Sequence, residues 1–236
     1  MFLQTLGFLL LTPMSGSPDA QAVVKLLEAR YHPAQTLKAT FLERYLENGR
    51  LARVEAGVAF FRRPGKMRWE YESPEKNLFL VDGKTAWFYV PADHTVTRVP
   101  VKESTDWRTP LALLTREMKI SRVCARVTLT SLEKPANPEN VLLSCELRAE
   151  QPKGHPSQGG SRAQESQTST RLLLEVGPNT GSLDRVLLRD RGGVEVEFRF
   201  TNWQINPSLP ESLFHFDAPR GVAVVNGDLS AQTPKN

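Results

Sequence analysis

The chain has 236 residues, 40% hydrophobic and 24% charged, and its 11 Phe, 4 Trp and 4 Tyr supply enough apolar mass for one sizeable core, which excludes global disorder and a coiled coil. Thirty Lys and Arg against 26 Asp and Glu leave a net charge of +4 spread along the chain, weak grounds for binding nucleic acid. Two Cys and four scattered His do not fall at CxxC or HExxH spacing, so no closed zinc site is expected.

Met1 to Met14 reads MFLQTLGFLLLTPM, an apolar run too short for a stop-transfer helix and followed by small and polar residues, as expected of a secretory leader. Ala20-Gln21-Ala22 fits the small-x-small cleavage rule and Ser15-Gly16-Ser17 is a second candidate, so residues 1–22 are assigned to the leader; a buried first helix is the alternative. No Cys precedes Cys124, so a soluble mature chain without a lipid anchor is expected. Ser17-Pro18 reads as an N-cap and N1 proline opening a short amphipathic helix, with Val23, Leu26, Leu27 and Tyr31 on one face up to His32-Pro33.

From Leu37 the period changes to two. Leu37, Ala39 and Phe41 alternate with Lys38, Thr40 and Leu42, and the stretch closes at a hairpin turn, Asn48-Gly49. A strand over Val54 to Arg63 ends at Pro64-Gly65. Lys66 to Tyr71 resumes with Trp69 and Tyr71 in phase, and Ser73-Pro74 breaks it. Asn77 to Val81 and Lys84 to Val90 flank Asp82-Gly83, the strongest hairpin signal in the chain. With Asp82-Gly83 as the two-residue loop, Leu80 faces Thr85 and Leu78 faces Trp87, so Leu78, Leu80, Trp87 and Tyr89 share one sheet face and Phe79 and Phe88 the other. A sheet apolar on both faces needs helices, a second sheet or a ligand to cover it.

Thr109-Pro110 opens a second helix through Leu111, Leu114 and Met118, with a short turn near Thr105 to Trp107. Further strands are predicted over Ser121 to Ser131, Asn140 to Glu150, Thr170 to Val176, Ser182 to Asp190 and Gly193 to Trp203, about ten in all. Gln151 to Gln167 has Ala163 as its sole apolar residue and reads as a loop inserted within a single domain spanning 23–227, with 228–236 a disordered tail. Pairing the strands on either side of Lys134 to Pro138 as one hairpin puts Cys124 and Cys145 on opposite faces, against a disulfide, unless a bulge shifts the register.

Catalytic signatures are missing: there is no GxSxG, Walker A loop, GxGxxG or HExxH, and an enzyme is not expected. Glu70 and Glu72 share one side of a strand and read as a solvated face, opposite Trp69 and Tyr71. Arg62, Arg63, Lys66 and Arg68 form the densest basic cluster, suited to anionic headgroups or a partner, with a charged turn the plainer reading.

Taken together, Phe61-Arg62-Arg63-Pro64-Gly65-Lys66-Met67-Arg68-Trp69-Glu70-Tyr71, then Ser73-Pro74, then Val81-Asp82-Gly83-Lys84-Thr85-Ala86-Trp87-Phe88-Tyr89-Val90-Pro91 resemble the outer-membrane lipoprotein carrier family, the LolA-type carriers. Thr109-Pro110-Leu111-Ala112-Leu113-Leu114 is similar to that family's lid helix, and Leu213 to Val222 to its ending. The resemblance implies a mainly β protein with a few short helices: a half-open antiparallel barrel of about eleven strands capped by a helical lid, carrying lipoprotein acyl chains through the periplasm. The implied partners are acylated lipoproteins, an inner-membrane lipoprotein-releasing transporter and an outer-membrane lipoprotein receptor. A monomer is expected, with neither cofactor nor nucleic acid.

By the same resemblance Arg63 is the lid latch, hydrogen bonded to helix backbone groups, and Met67 occupies the turn that meets the release complex. The acyl-chain cavity is assigned to Phe41, Phe61, Trp69, Tyr71, Leu78, Leu80, Trp87 and Tyr89, with Leu111 and Leu114 on the lid. A lipid- or lipoprotein-sensing regulatory module of the same fold is the alternative function.

Overall fold

Alternating side chains and tight turns fold most of the chain into one curled sheet. The computed structural model describes residues 19–101, 111, 114–115, 118–148, 171–190 and 192–227. The leader run, the opening of the second helix, the 151–167 insertion and the tail lie outside the described residues. Helix α1 is Ala20–Tyr31, capped by Asp19. Six strands follow: β1 Thr36–Glu47, β2 Arg50–Arg62, β3 Lys66–Ser73, β4 Leu78–Val81, β5 Thr85–Val90 and β6 Thr95–Pro100. A four-residue helix α2, Ile120–Val123, leads to β7 Cys124–Thr130, β8 Val141–Leu147, β9 Arg171–Val176, β10 Leu183–Arg189, β11 Val194–Ile205 and β12 Ala223–Asn226.

The strand order is β12-β6-β5-β4-β3-β2-β1-β11-β10-β9-β8-β7, antiparallel except where β12 lies parallel to β6. The sheet is an open half-barrel. Neighbouring strands sit about 4.8 Å apart, so β3 and β11, separated by β2 and β1, would be about 14 Å apart in a flat sheet. The rings of Trp69 on β3 and Phe198 on β11 are nevertheless 5.3 Å apart, which requires strong curvature. Odd positions of β1 (Leu37, Ala39, Phe41) and alternate positions of later strands other than β12 therefore converge on one concave face.

Four sequence expectations are corrected. Asp19, rather than Ser17, is the N-cap of α1, and Leu26 turns outward at 40% exposure while Val24 is buried. The β4–β5 loop is Gly83-Lys84, with Val81 opposite Ala86 and Leu80 opposite Trp87. The Asp82 carboxylate accepts the Lys84 and Thr85 N–H groups, each at 2.8 Å, so this Asp flanks the turn and does not occupy it. Because the register moves by two, Leu78, Leu80, Trp87 and Tyr89 still share a face. Among the described residues twelve strands form where about ten were read, β6 and β12 being the additions.

Cys124 and Cys145 are joined by a disulfide. The pairing runs Leu129 to Leu143 and Val127 to Cys145, then slips between Cys124 and Arg126 so that Cys124 meets Leu147. The extra residue rotates Cys124 onto the concave face beside Cys145, the bulge that the simple alternation lacked.

The convex face of β9–β11 is held by charge. Glu197, 3% exposed, accepts from Arg44 at 2.7 Å, Arg199 at 3.1 Å and Arg185 at 3.2 Å. Glu175, 1% exposed, accepts from Arg185 and from the Ala136 and Asn137 N–H groups, tying down the β7–β8 loop. Burial alone would push the Glu197 carboxyl up; the hydrogen bonds from Arg44, Arg199 and Arg185 outweigh it and hold the carboxyl below the usual range.

Two outcomes follow for stability. A Cys124→Ser, Cys145→Ser double variant, opening a link of sequence separation 21, should lose about 3 kcal/mol in urea unfolding; an unchanged midpoint would show that the bridge is idle. The second concerns Glu197, whose folded value lies below its unfolded one. Its contribution is complete above the ordinary glutamate range and is lost as pH falls through the depressed folded value. Glu197→Gln should therefore flatten the acid limb of stability against pH, and an unaltered limb would refute this.

Candidate functional site

The concave face is lined by rings that touch from one end to the other. Phe41 meets Trp69 at 4.8 Å and Tyr71 at 5.1 Å, both edge-on. Trp69 continues the chain to Phe61 at 5.6 Å and Phe198 at 5.3 Å, and Trp203 closes it against Phe200 and Tyr31, each at 5.2 Å. Gly57 sits between Phe41 and Tyr71 in the strand register, and a Cβ there would lie 1.9 Å from the Glu70 carbonyl oxygen. Its bare backbone lets the two rings meet above it.

One end of this face is polar. The Tyr71 hydroxyl donates to Glu43 at 2.7 Å, and Arg53 pairs with Glu55 at 2.9 Å while lying 5.4 Å from the Tyr45 ring centre. Glu43 and Glu55 are both buried.

Two pieces cover the aromatic face. The first is α1, whose Val23, Val24, Leu27 and Tyr31 enter the core. Burial pushes the Tyr31 phenol up, so it stays protonated at neutral pH, and its oxygen accepts the Leu183 N–H at 3.1 Å. The second comprises Leu111, Leu114 and Met118, all at most 1% exposed, spaced as one helical face would be. The pieces are joined where the Glu28 carboxylate accepts the Ile120 N–H at 2.7 Å.

Both pieces are fastened at the β2–β3 turn. The Arg63 guanidinium donates to the Tyr31 carbonyl at 2.8 Å and to the His32 carbonyl, capping the end of α1 with positive charge. Two residues on, the Gly65 N–H donates to the Thr115 carbonyl at 2.9 Å. The sequence reading assigned Arg63 a helix backbone as partner; these bonds run to α1, whereas the expected start of the lid helix at Thr109-Pro110 lies outside the described residues.

The structure divides the residues assigned to the cavity. Phe41, Phe61, Trp69, Tyr71, Leu111 and Leu114 come together on the concave side. Leu78, Leu80, Trp87 and Tyr89 lie on the convex side, because Leu80 pairs with Arg68 and Trp87, out of phase with Trp69. There the carboxy-terminal segment covers them, with Phe216 5.5 Å from Trp87 and 5.7 Å from Tyr89. Phe79 and partly buried Phe88, set apart from that group in the sequence reading, belong to the concave core, as do Tyr31, Phe198, Phe200 and Trp203. Met67 is 5% exposed and points inward, so the exposed residue of its turn is Pro64.

The basic cluster also acquires a task. Arg62 donates to the Leu209 carbonyl at 2.9 Å, Arg68 to the Leu213 carbonyl at 3.1 Å, and Lys66 pairs with Glu211. These cations strap the carboxy-terminal segment to the convex face.

Against known proteins, residues 32–138 match the family model described as outer membrane lipoprotein carrier protein LolA. The outer-membrane lipoprotein carrier protein of Chromobacterium violaceum is 30% identical over 213 residues, covering 90% of this chain and 91% of that protein. The carrier protein of Nitrosomonas europaea is 29% identical over 218 residues, covering 88% and 91%. Among solved structures, an uncharacterized conserved protein from Thermus thermophilus superposes with a TM-score of 0.52 at 14% identity, covering 88% of this chain and 99% of that one, a likeness of fold.

Removing the Arg63 cap should loosen α1 first. In Arg63→Leu the last-turn amides of α1 should exchange with deuterium about tenfold faster than in the parent, with the β9–β11 amides unchanged. Equal protection of that turn in both proteins would mean that the guanidinium does not hold the helix.

Proposed function

We propose that this chain, which belongs to the outer-membrane lipoprotein carrier family, shields lipoprotein acyl chains on its concave aromatic face while they cross the periplasm from an inner-membrane releasing transporter to an outer-membrane receptor. The observation that carries the reading is the cover. An aromatic face is closed by two separate pieces, α1 and the group Leu111, Leu114 and Met118, and both are fastened to one turn.

A sixteen-carbon chain exposed to water costs on the order of 10 kcal/mol, so transit needs a sheltered face. Phe41, Phe61, Trp69 and Tyr71 supply that face in this reading, and Leu111 and Leu114 sit over it as the movable part. Loading displaces the cover, and the cover's return helps expel the cargo at the receptor. The step is an exchange of apolar contacts in which no bond is made or broken. A disulfide on the sheet suits the oxidising periplasm.

Arg63 is the latch. Its charge-assisted bonds stabilise only the closed cover, so losing them favours the loaded state. Arg63→Leu should co-purify with acylated lipoprotein at least as well as the parent, while transfer to an outer-membrane acceptor falls about tenfold. Normal transfer by that variant would remove the latch from the mechanism. Mass spectrometry of the parent protein isolated from the periplasm should recover acylated protein, and its consistent absence would remove the carrier role.

A further inference from the structure

The Trp69 indole stands at the centre of the concave face, 0% exposed, and its Nε1–H has no hydrogen-bond partner. The two other described tryptophans are satisfied: Trp87 Nε1 donates to Asp82 at 3.1 Å and Trp203 Nε1 to the Leu183 carbonyl at 2.8 Å. Around Trp69 stand Phe41, Phe61, Phe198 and Phe200, whose rings are weak acceptors at best. A buried donor left without an acceptor is unfavourable and uncommon, and phenylalanine would fill an apolar wall without it.

Bare hydrocarbon offers this N–H nothing. The carbonyl oxygen that begins every acyl chain is an acceptor, and it enters the face together with the tail. We propose that Trp69 Nε1–H donates to an ester or amide carbonyl of the bound acyl group, so that the site reads the acyl linkage as well as the oiliness of the chain. The assignment rests on the carrier reading above and adds to it a polar contact inside an otherwise apolar surface.

The test compares two synthetic lipopeptides on the full chain by calorimetry: one with two palmitoyl esters, the other its dihexadecyl ether twin, alike in tail length but lacking the carbonyls. The parent protein should bind the ester about tenfold more tightly, equivalent to about 1.4 kcal/mol, and Trp69→Phe should reduce that preference to within about twofold. Equal affinity of the parent for both lipids overturns the assignment, and so does a preference that survives in Trp69→Phe. A readout on the parent protein avoids dependence on the variant's folding. With 15N-labelled tryptophan, the Trp69 indole proton should move downfield with the ester and not with the ether, and identical shifts with both overturn the assignment. Binding of neither lipid overturns the carrier reading itself, and the Trp69 contact with it.

Discussion

The three-residue turn Arg63-Pro64-Gly65 fastens both pieces that cover the concave face. Through the Arg63 guanidinium it grips the carbonyls ending α1, and through the Gly65 N–H it grips Thr115. The scale of these contacts is small. Hydrogen bonds to a charged group contribute about 1.5–3 kcal/mol each, less where solvent reaches them. Within the cover itself, Leu27, Tyr31, Leu111, Leu114 and Met118 together bury side chains worth on the order of 10 kcal/mol, comparable with one long acyl chain. In the proposed carrier cycle, exchange of cover for cargo would therefore be close to balanced, and a latch of a few kcal/mol would be large enough to tilt it. On the carrier proposal, a cover held much more strongly would refuse cargo, and a much weaker one would leave the rings in water between journeys.

A sheet that presents apolar residues on both sides has to solve the problem twice. On the concave side the solution is α1 together with Leu111, Leu114 and Met118. On the convex side of β4–β6 it is built in: Phe216 packs on Trp87 and Tyr89, and Arg62, Lys66 and Arg68 anchor the backbone that delivers it. The parallel pairing of β12 with β6 then covers what would otherwise be an open edge at β6. Cations that look like a surface for anionic partners are, in the folded protein, mostly engaged with the chain's own ending.

Local rules made much of this legible. Asn48-Gly49, with φ of 49° and 75°, is the hairpin turn that the dipeptide announces, and the alternation of β1 and β3 places Phe41, Trp69 and Tyr71 correctly. The helical spacing of Leu111, Leu114 and Met118 likewise identifies the buried residues of the cover. Non-local features escaped. β6 ends in Pro100 and carries an exposed Arg98, and its partner β12 lies more than a hundred residues along the chain, so no short pattern marks the pair. Which of two apolar faces becomes the inside depends on the sign of the sheet's curvature, which alternation does not encode. That is why Leu78, Leu80, Trp87 and Tyr89 were grouped correctly with one another and placed on the wrong side. The disulfide turned on a single bulged residue, enough to reverse the phase of everything before it.

Rigidity is distributed to match. The disulfide pins β7 to β8, and buried Glu175 and Glu197 knit β9, β10, β11 and β1 through Arg185 and Arg44. Truncating either carboxylate would leave buried guanidinium charge uncompensated, so this half of the sheet resists deformation. The cover meets the sheet mainly through apolar packing, with hydrogen bonds that include those of Arg63, Gly65 and Tyr31. Apolar contacts are non-directional and are recovered as readily against a hydrocarbon tail as against Leu114, whereas the ion pairs of the convex face have no substitute. In the proposed carrier cycle motion would therefore fall to the cover, and the curvature that aligns the aromatic rings would survive loading and release.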